Sequence, residues 1–82
     1  MKSVREHITC CNGVVLSVQA SKYHYCIPRN DEGPYTHYEV MLMDNAPATP
    51  TWKEYEAGGV FGCVPRALIE QFIRDNGGYR LP

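Results

Sequence analysis

Ile8-Thr9-Cys10-Cys11-Asn12-Gly13-Val14-Val15-Leu16-Ser17-Val18-Gln19-Ala20 decides the fold. Asn-Gly between apolar flanks is the strongest short hairpin signal, because both residues tolerate the positive φ that a tight turn needs. Ile8–Cys11 and Val14–Ala20 are therefore expected to pair as antiparallel strands. In the second strand Val14, Leu16, Val18 and Ala20 share one face, since side chains alternate along a strand. Ser17, Gln19 and Ser21 share the other. The alternation predicts an apolar face turned to a core and a row of small polar groups turned outward. Upstream, Ser3-Val-Arg-Glu6 matches a capping box and predicts a helical turn over 3–7.

Working towards the C-terminus, Thr36–Met43 reads as a strand. Tyr38, Val40 and Leu42 lie on one face, with His37, Glu39, Met41 and Met43 on the other. Apolar residues on both faces predict a central, covered strand or a subunit contact. Before it, Pro28 and Pro34 limit regular structure in 22–35, and Asp31-Glu-Gly-Pro34 reads as a turn. After it, Asp44–Ala57 reads as a long surface loop anchored by Trp52 or Tyr55. A strand at Gly59–Val64 then leads into a helix over 65–76. Pro65 suits its first position and Gly77 the residue past its end. Leu68, Ile69, Phe72 and Ile73 form an apolar stripe at helical spacing, which is core packing. Arg66, Glu70, Gln71, Arg74 and Asp75 cover the other side, with Glu70 and Arg74 spaced to pair. The expected architecture is α+β: a small antiparallel sheet of three to four strands, packed on one face by a C-terminal α-helix.

The chain has 82 residues, enough for a single domain over 1–82. A chain this short buries only about 60% of its unfolded surface, so a homo-oligomer or a ligand is expected to help. With 8 Lys+Arg against 9 Asp+Glu the net charge is −1. That excludes binding of nucleic acid through phosphate contacts alone. A hydrophobic fraction of 44% is too high for disorder. No apolar run approaches a membrane span, and residues near Met1 lack the apolar stretch of a signal peptide. Four cysteines without a secretion signal, two of them adjacent, predict free thiols and a cytoplasmic location. Cys63, in an apolar run, reads as a small buried hydrophobe. No Cys-x-x-Cys pair is present. His24-x-Cys26 with Cys10, Cys11, His7 or His37 is a weak zinc spacing, so neither a metal nor a cofactor is expected.

One constellation carries chemistry. Residues 17–38 contain four of the six Tyr and two of the three His. Tyr23, Tyr25 and Tyr35 offer stacking faces and hydroxyls. Arg29 offers a planar fork suited to phosphate or carboxylate. Gln19 and Asn30 can read an amide or base edge, and Ser17, His24 and Cys26 stand among them. This mixture suits a nucleotide-like ligand: an aromatic platform, a cation and amides. The competing reading is half-buried Tyr packing, with Arg29 paired to Asp31, Glu32 or Glu39. A cysteine nucleophile would need His24 or His37 within reach of Cys26, and no catalytic motif surrounds them. Asp31-Glu32 and Glu54/Glu56 read as turn and loop charges. Gly58-Gly59-Val-Phe-Gly62 precedes a strand, so it is not a phosphate loop.

Ser17-Val-Gln-Ala-Ser21, His24-Tyr-Cys-Ile-Pro-Arg29 and Gly33-Pro-Tyr35, with Val64-Pro65 and Gly77-Gly78, resemble motifs in a family of small tailed-phage and prophage proteins. The resemblance covers most of the chain, and 44–57 fits it least. It implies a phage accessory protein acting in the bacterial host cytosol, and it carries over no catalytic residues. Proteins of this kind resemble inhibitors of host defence. Some bind a defence protein; others sequester a nucleotide signal in a pocket between subunits. The expectation is a non-enzymatic binder of a small nucleotide-like ligand. A protein–protein inhibitor of a host defence complex and a small cysteine- or zinc-dependent enzyme are the alternatives.

Overall fold

The computed structural model describes residues 7–43 and 50–80. The expected helical turn over 3–7 therefore lies almost wholly outside the described residues, and His7 is not helical. Five strands form one antiparallel sheet: β1 (Ile8–Thr9), β2 (Val15–Gln19), β3 (His37–Leu42), β4 (Glu56–Ala57) and β5 (Val60–Pro65). Their spatial order is β1-β2-β3-β5-β4. A 3-10 turn at Lys53–Tyr55 precedes β4, and α1 (Arg66–Asp75) follows β5. The class is α+β, with one strand more than expected.

The first hairpin forms where Asn12-Gly13 places it, with a longer loop. Ile8 pairs with Leu16 and Thr9 with Val15. The Gly13 N–H donates to Cys10 O at 3.0 Å, and the Cys10 N–H donates to Val14 O at 2.8 Å. The loop is thus three residues, Cys11 to Gly13, with Gly13 at φ +97°. A three-residue loop ending on a left-handed glycine is the next commonest hairpin after the two-residue kind. The extra strand has a similar origin. Gly58 and Gly59, both at positive φ, turn β4 back onto β5, with Ala57 opposite Val60. Gly-Gly between short strands is itself a hairpin signal.

Val14, Leu16 and Val18 pack with Val40, Val64, Ile69, Phe72 and Ile73 into the core between sheet and helix. Trp52 is the anchor of its loop: its ring meets Phe61 and Phe72 edge-on, each at 5.5 Å. The helix stops as its glycines require. Gly78 N–H donates to Ile73 O and Gly77 N–H to Arg74 O, the paired bonds of a Schellman end, with Gly77 at φ +92°. Pro65 stands just outside the helix rather than at its first position. Glu70 pairs with Arg66 at 3.4 Å, not with Arg74, whose guanidinium donates to Gln71.

The largest correction concerns the second face of the sheet. Ser17, Gln19 and Ser21 do not point outward into solvent; all three are buried, Ser21 at 1% exposure. The Pro-rich segment 21–35 folds back over them as an irregular strap. Both Ile27–Pro28 and Gly33–Pro34 are cis. Strand alternation reports which residues share a face, but it cannot report that a distant loop will cover that face.

Candidate functional site

Hydrogen bonds of its Ile27 and Tyr25 main chain hold the strap. The Ile27 N–H donates to His37 O, and Thr36 N–H donates to Ile27 O, clipping the strap to the start of β3. The Tyr25 N–H donates to the Glu39 carboxylate at 3.0 Å, and Tyr25 O accepts the Cys63 N–H at 2.8 Å. The last contact depends on a bulge. Tyr38 is opposite Val64 while Val40 is opposite Phe61, so two steps on β3 meet three on β5. The additional residue leaves an N–H outside the ladder, and the strap takes it. Cys63 sits at φ +51°, rare for a residue with a side chain, and is only half-buried. That corrects its reading as a small buried hydrophobe. The Tyr25 side chain rests on Gly62, where a Cβ would come within 3.1 Å of it.

Between the strap and the sheet lies a cleft of about 240 Å³. Its floor is the polar face of the central strands: Ser17 and Gln19 from β2, Glu39 and Met41 from β3. Gln19 is directly opposite Glu39, and Ser17 opposite Met41. The Gln19 amide donates to Ser17 Oγ at 3.0 Å. His24 closes the strap side, and His7 and Val60 border the remaining edges. His24 is held by a 2.6 Å hydrogen bond between its Nδ1 and Ser21 Oγ, and Ser21 Oγ also accepts the Tyr23 N–H. The cleft therefore offers one carboxylate, one carboxamide, one hydroxyl and two imidazoles.

The structure divides the nine expected site residues. Ser17, Gln19 and His24 line the cleft. Tyr25 and Arg29 stand beside it, with the guanidinium 5.2 Å from the ring centroid. Arg29 also donates from Nε to Lys22 O, rather than pairing with Asp31, Glu32 or Glu39. Tyr23 is exposed, beneath the Lys22 ammonium at 5.2 Å. The other three do not meet in the cleft. Cys26 is buried, and its Sγ donates to Ser21 O and Pro28 O. Asn30 Oδ1 accepts the N–H groups of Glu32 and Gly33, an Asx turn that occupies the amide oxygen expected to read a base. Tyr35 donates its hydroxyl to Asn30 O at 2.7 Å and tilts against Tyr38. These three order the strap.

His7, Glu39, Met41 and Val60 line the cleft without having been expected there. For Glu39 and Met41 a signal existed: both lie on the second face of their strand, which becomes the Ser17–Gln19 face once β2 and β3 pair. Among the described residues no group of three His, Cys, Asp or Glu side chains converges as a metal set. All four cysteines are free thiols. Burial, and secondarily the neighbouring Cys11, pushes the Cys10 thiol pKa up. Among the described residues no helix is long and apolar enough to cross a membrane. No family model, curated protein or solved structure matches the chain.

Proposed function

We propose that this protein is a phage accessory protein that binds and sequesters a small nucleotide-like ligand without turning it over, as a counter to host defence. The observation that carries the reading is the polar cleft over Ser17, Gln19 and Glu39, with the Tyr25–Arg29 stack beside it. Ligand pockets combine a few convergent polar groups with apolar and aromatic walls, and this cleft has both. Arg29 is exposed and stacked on an aromatic ring, a geometry that pre-orders a guanidinium for phosphate. Sequestration needs affinity and stoichiometry only. A homo-oligomer in the bacterial cytosol fits the short chain and the exposed strap.

Calorimetry with the full chain tests the reading. The panel contains mononucleotides of each base, cyclic nucleotides and ADP-ribose derivatives. At least one is expected to bind stoichiometrically, and Arg29→Ala is expected to weaken it. Heats no larger than dilution across the panel, up to millimolar ligand, would sink it.

A second reading is favoured by a different observation. Tyr23, Tyr25 and Ile27 are exposed at 71%, 51% and 46%, and Tyr and Arg are typical interface anchors. The strap would then be the surface of a protein–protein inhibitor. Stoichiometric capture of a host defence protein, lost in Tyr25→Ala with Arg29→Ala, supports it; capture that survives both substitutions contradicts it. The cysteine-enzyme reading gains no support from the geometry. The Cys26 thiol is buried with its Sγ on the Ser21 and Pro28 carbonyls, and His24 Nδ1 bonds Ser21 Oγ rather than Cys26.

A further inference from the structure

We infer that the cleft receives the base of the ligand rather than its phosphates, and that Glu39 makes it select guanine; the inference rests on the nucleotide-binding reading above. Size comes first. Pockets for drug-sized ligands run to roughly 300–1,000 Å³. At about 240 Å³ this cleft takes one ring system, not a whole nucleotide.

Charge decides which part enters. Among the described residues the lining holds Glu39 and two imidazoles and no lysine or arginine. A phosphate placed inside would face the Glu39 carboxylate with no lysine or arginine of the described lining to offset it. The exposed Arg29 of the strap stands outside the lining and remains for the phosphates, whereas the Lys22 ammonium is 4.0 Å from the Asp31 carboxylate. The uncharged base is the part that fits. Its faces would meet the Met41 thioether, the Val60 side chain and the two imidazole rings, all of which pack well against a flat ring.

The edge chemistry then chooses among bases. Glu39 is fixed in place because its Oε2 accepts the Tyr25 N–H. An ionised carboxylate is acceptor-only, with about four lone-pair sites, and that bond uses one. It therefore seeks a ligand with two adjacent N–H donors. Guanine presents N1–H beside its N2 amino group. Adenine places the bare N1 next to its amino group, cytosine places the bare N3 there, and uracil flanks its single N–H with two carbonyls. Each of these sets a lone pair against the carboxylate.

Calorimetry of the full chain with GMP, IMP and AMP tests this. GMP is expected to bind on the order of ten- to a hundredfold more tightly than AMP, the discrimination of a good bidentate pair. IMP lacks the N2 amino group and is expected to fall between them. Glu39→Gln keeps an oxygen acceptor for the Tyr25 N–H, so the strap stays docked, as a thermal melt would verify. The carboxamide matches adenine's donor–acceptor edge, so this variant should lose the GMP preference and gain affinity for AMP. AMP binding as tightly as GMP to the wild type would overturn the guanine assignment while leaving nucleotide binding intact. So would a Glu39→Gln variant that weakens both nucleotides equally. Binding of none of the three, while another nucleotide of the wider panel binds, overturns the guanine assignment alone; silence across the whole panel removes the nucleotide reading with it.

Discussion

The two faces of the sheet are both covered, and by different physics. On one, α1 lays Ile69, Phe72 and Ile73 over Val14, Leu16, Val18 and Val40. That contact is non-directional: it rests on apolar area withdrawn from water, with Val14, Leu16 and Val40 fully buried. On the other, the strap covers Ser17, Gln19 and Ser21 through hydrogen bonds from Tyr25, Cys63, Ser21 and His24. Directional bonds fix a few points and leave the space between them unfilled. Clefts of about 240 Å³ open on both faces, but only the strap-side floor is built of Ser17, Gln19 and Glu39, because a face of polar groups is covered by bonds to particular groups rather than by apolar area.

Substitutions on each face test whether the two coverings are independent. Leu16 is fully buried on the helix face. Leu16→Ala is expected to cost about 2–5 kcal/mol in a urea unfolding series and to lower the protection of the whole sheet. Ser21→Ala removes the partner of both His24 Nδ1 and the Tyr23 N–H. Its expected cost is about 1–3 kcal/mol. Hydrogen exchange should rise in 22–27 while α1 stays protected. If α1 exchanged as fast as the strap, the two faces would not be independent, and the contrast would fail.

A smaller effect is linked to pH. The Cys10 thiol is held above its ordinary pKa of about 8.5 in the folded chain. Below that value the unfolded and folded thiols are both protonated and the contribution is complete. Above it the unfolded thiol ionises first, so stability should fall as pH climbs beyond about 8.5 and level off past the folded value. Thermal melts from pH 7 to 10 should show that decline, and Cys10→Ala should flatten it. A decline unchanged in that variant would assign it to another group. Smallest of all, Arg66→Ala removes an exposed ion pair with Glu70 and is expected to change stability by no more than about 0.5 kcal/mol.

Much of the fold was legible from local signals. Asn12-Gly13 turned the first hairpin, and Pro65 with Gly77 bracketed the helix, because turn and cap geometry depends on residues close in sequence. Three of the nine site residues reached the cleft, and Tyr25 and Arg29 stand beside it. Asn30 and Tyr35 were read as ligand groups because their types suit the chemistry, yet their polar atoms serve the strap's own turns. His7 and Glu39 were passed over because neither belongs to a local motif; Glu39 meets Gln19 only through strand pairing, and His7 borders the cleft from the residue before β1.

The sequence alone therefore determined the alternation in β2, the hairpin, the helix and its stop, and the crowding of Tyr, His and Arg29 into one quarter of the chain. All of these follow from side-chain direction, backbone preference and composition, which act over a few residues. The tertiary structure decided what covers the polar row, where Cys63 and its bulge receive the strap, and which carboxylate faces the cleft. Those outcomes depend on pairing between residues far apart in sequence, Tyr25 with Glu39 and Cys63 above all, and local patterns do not encode which distant donor will satisfy a buried acceptor.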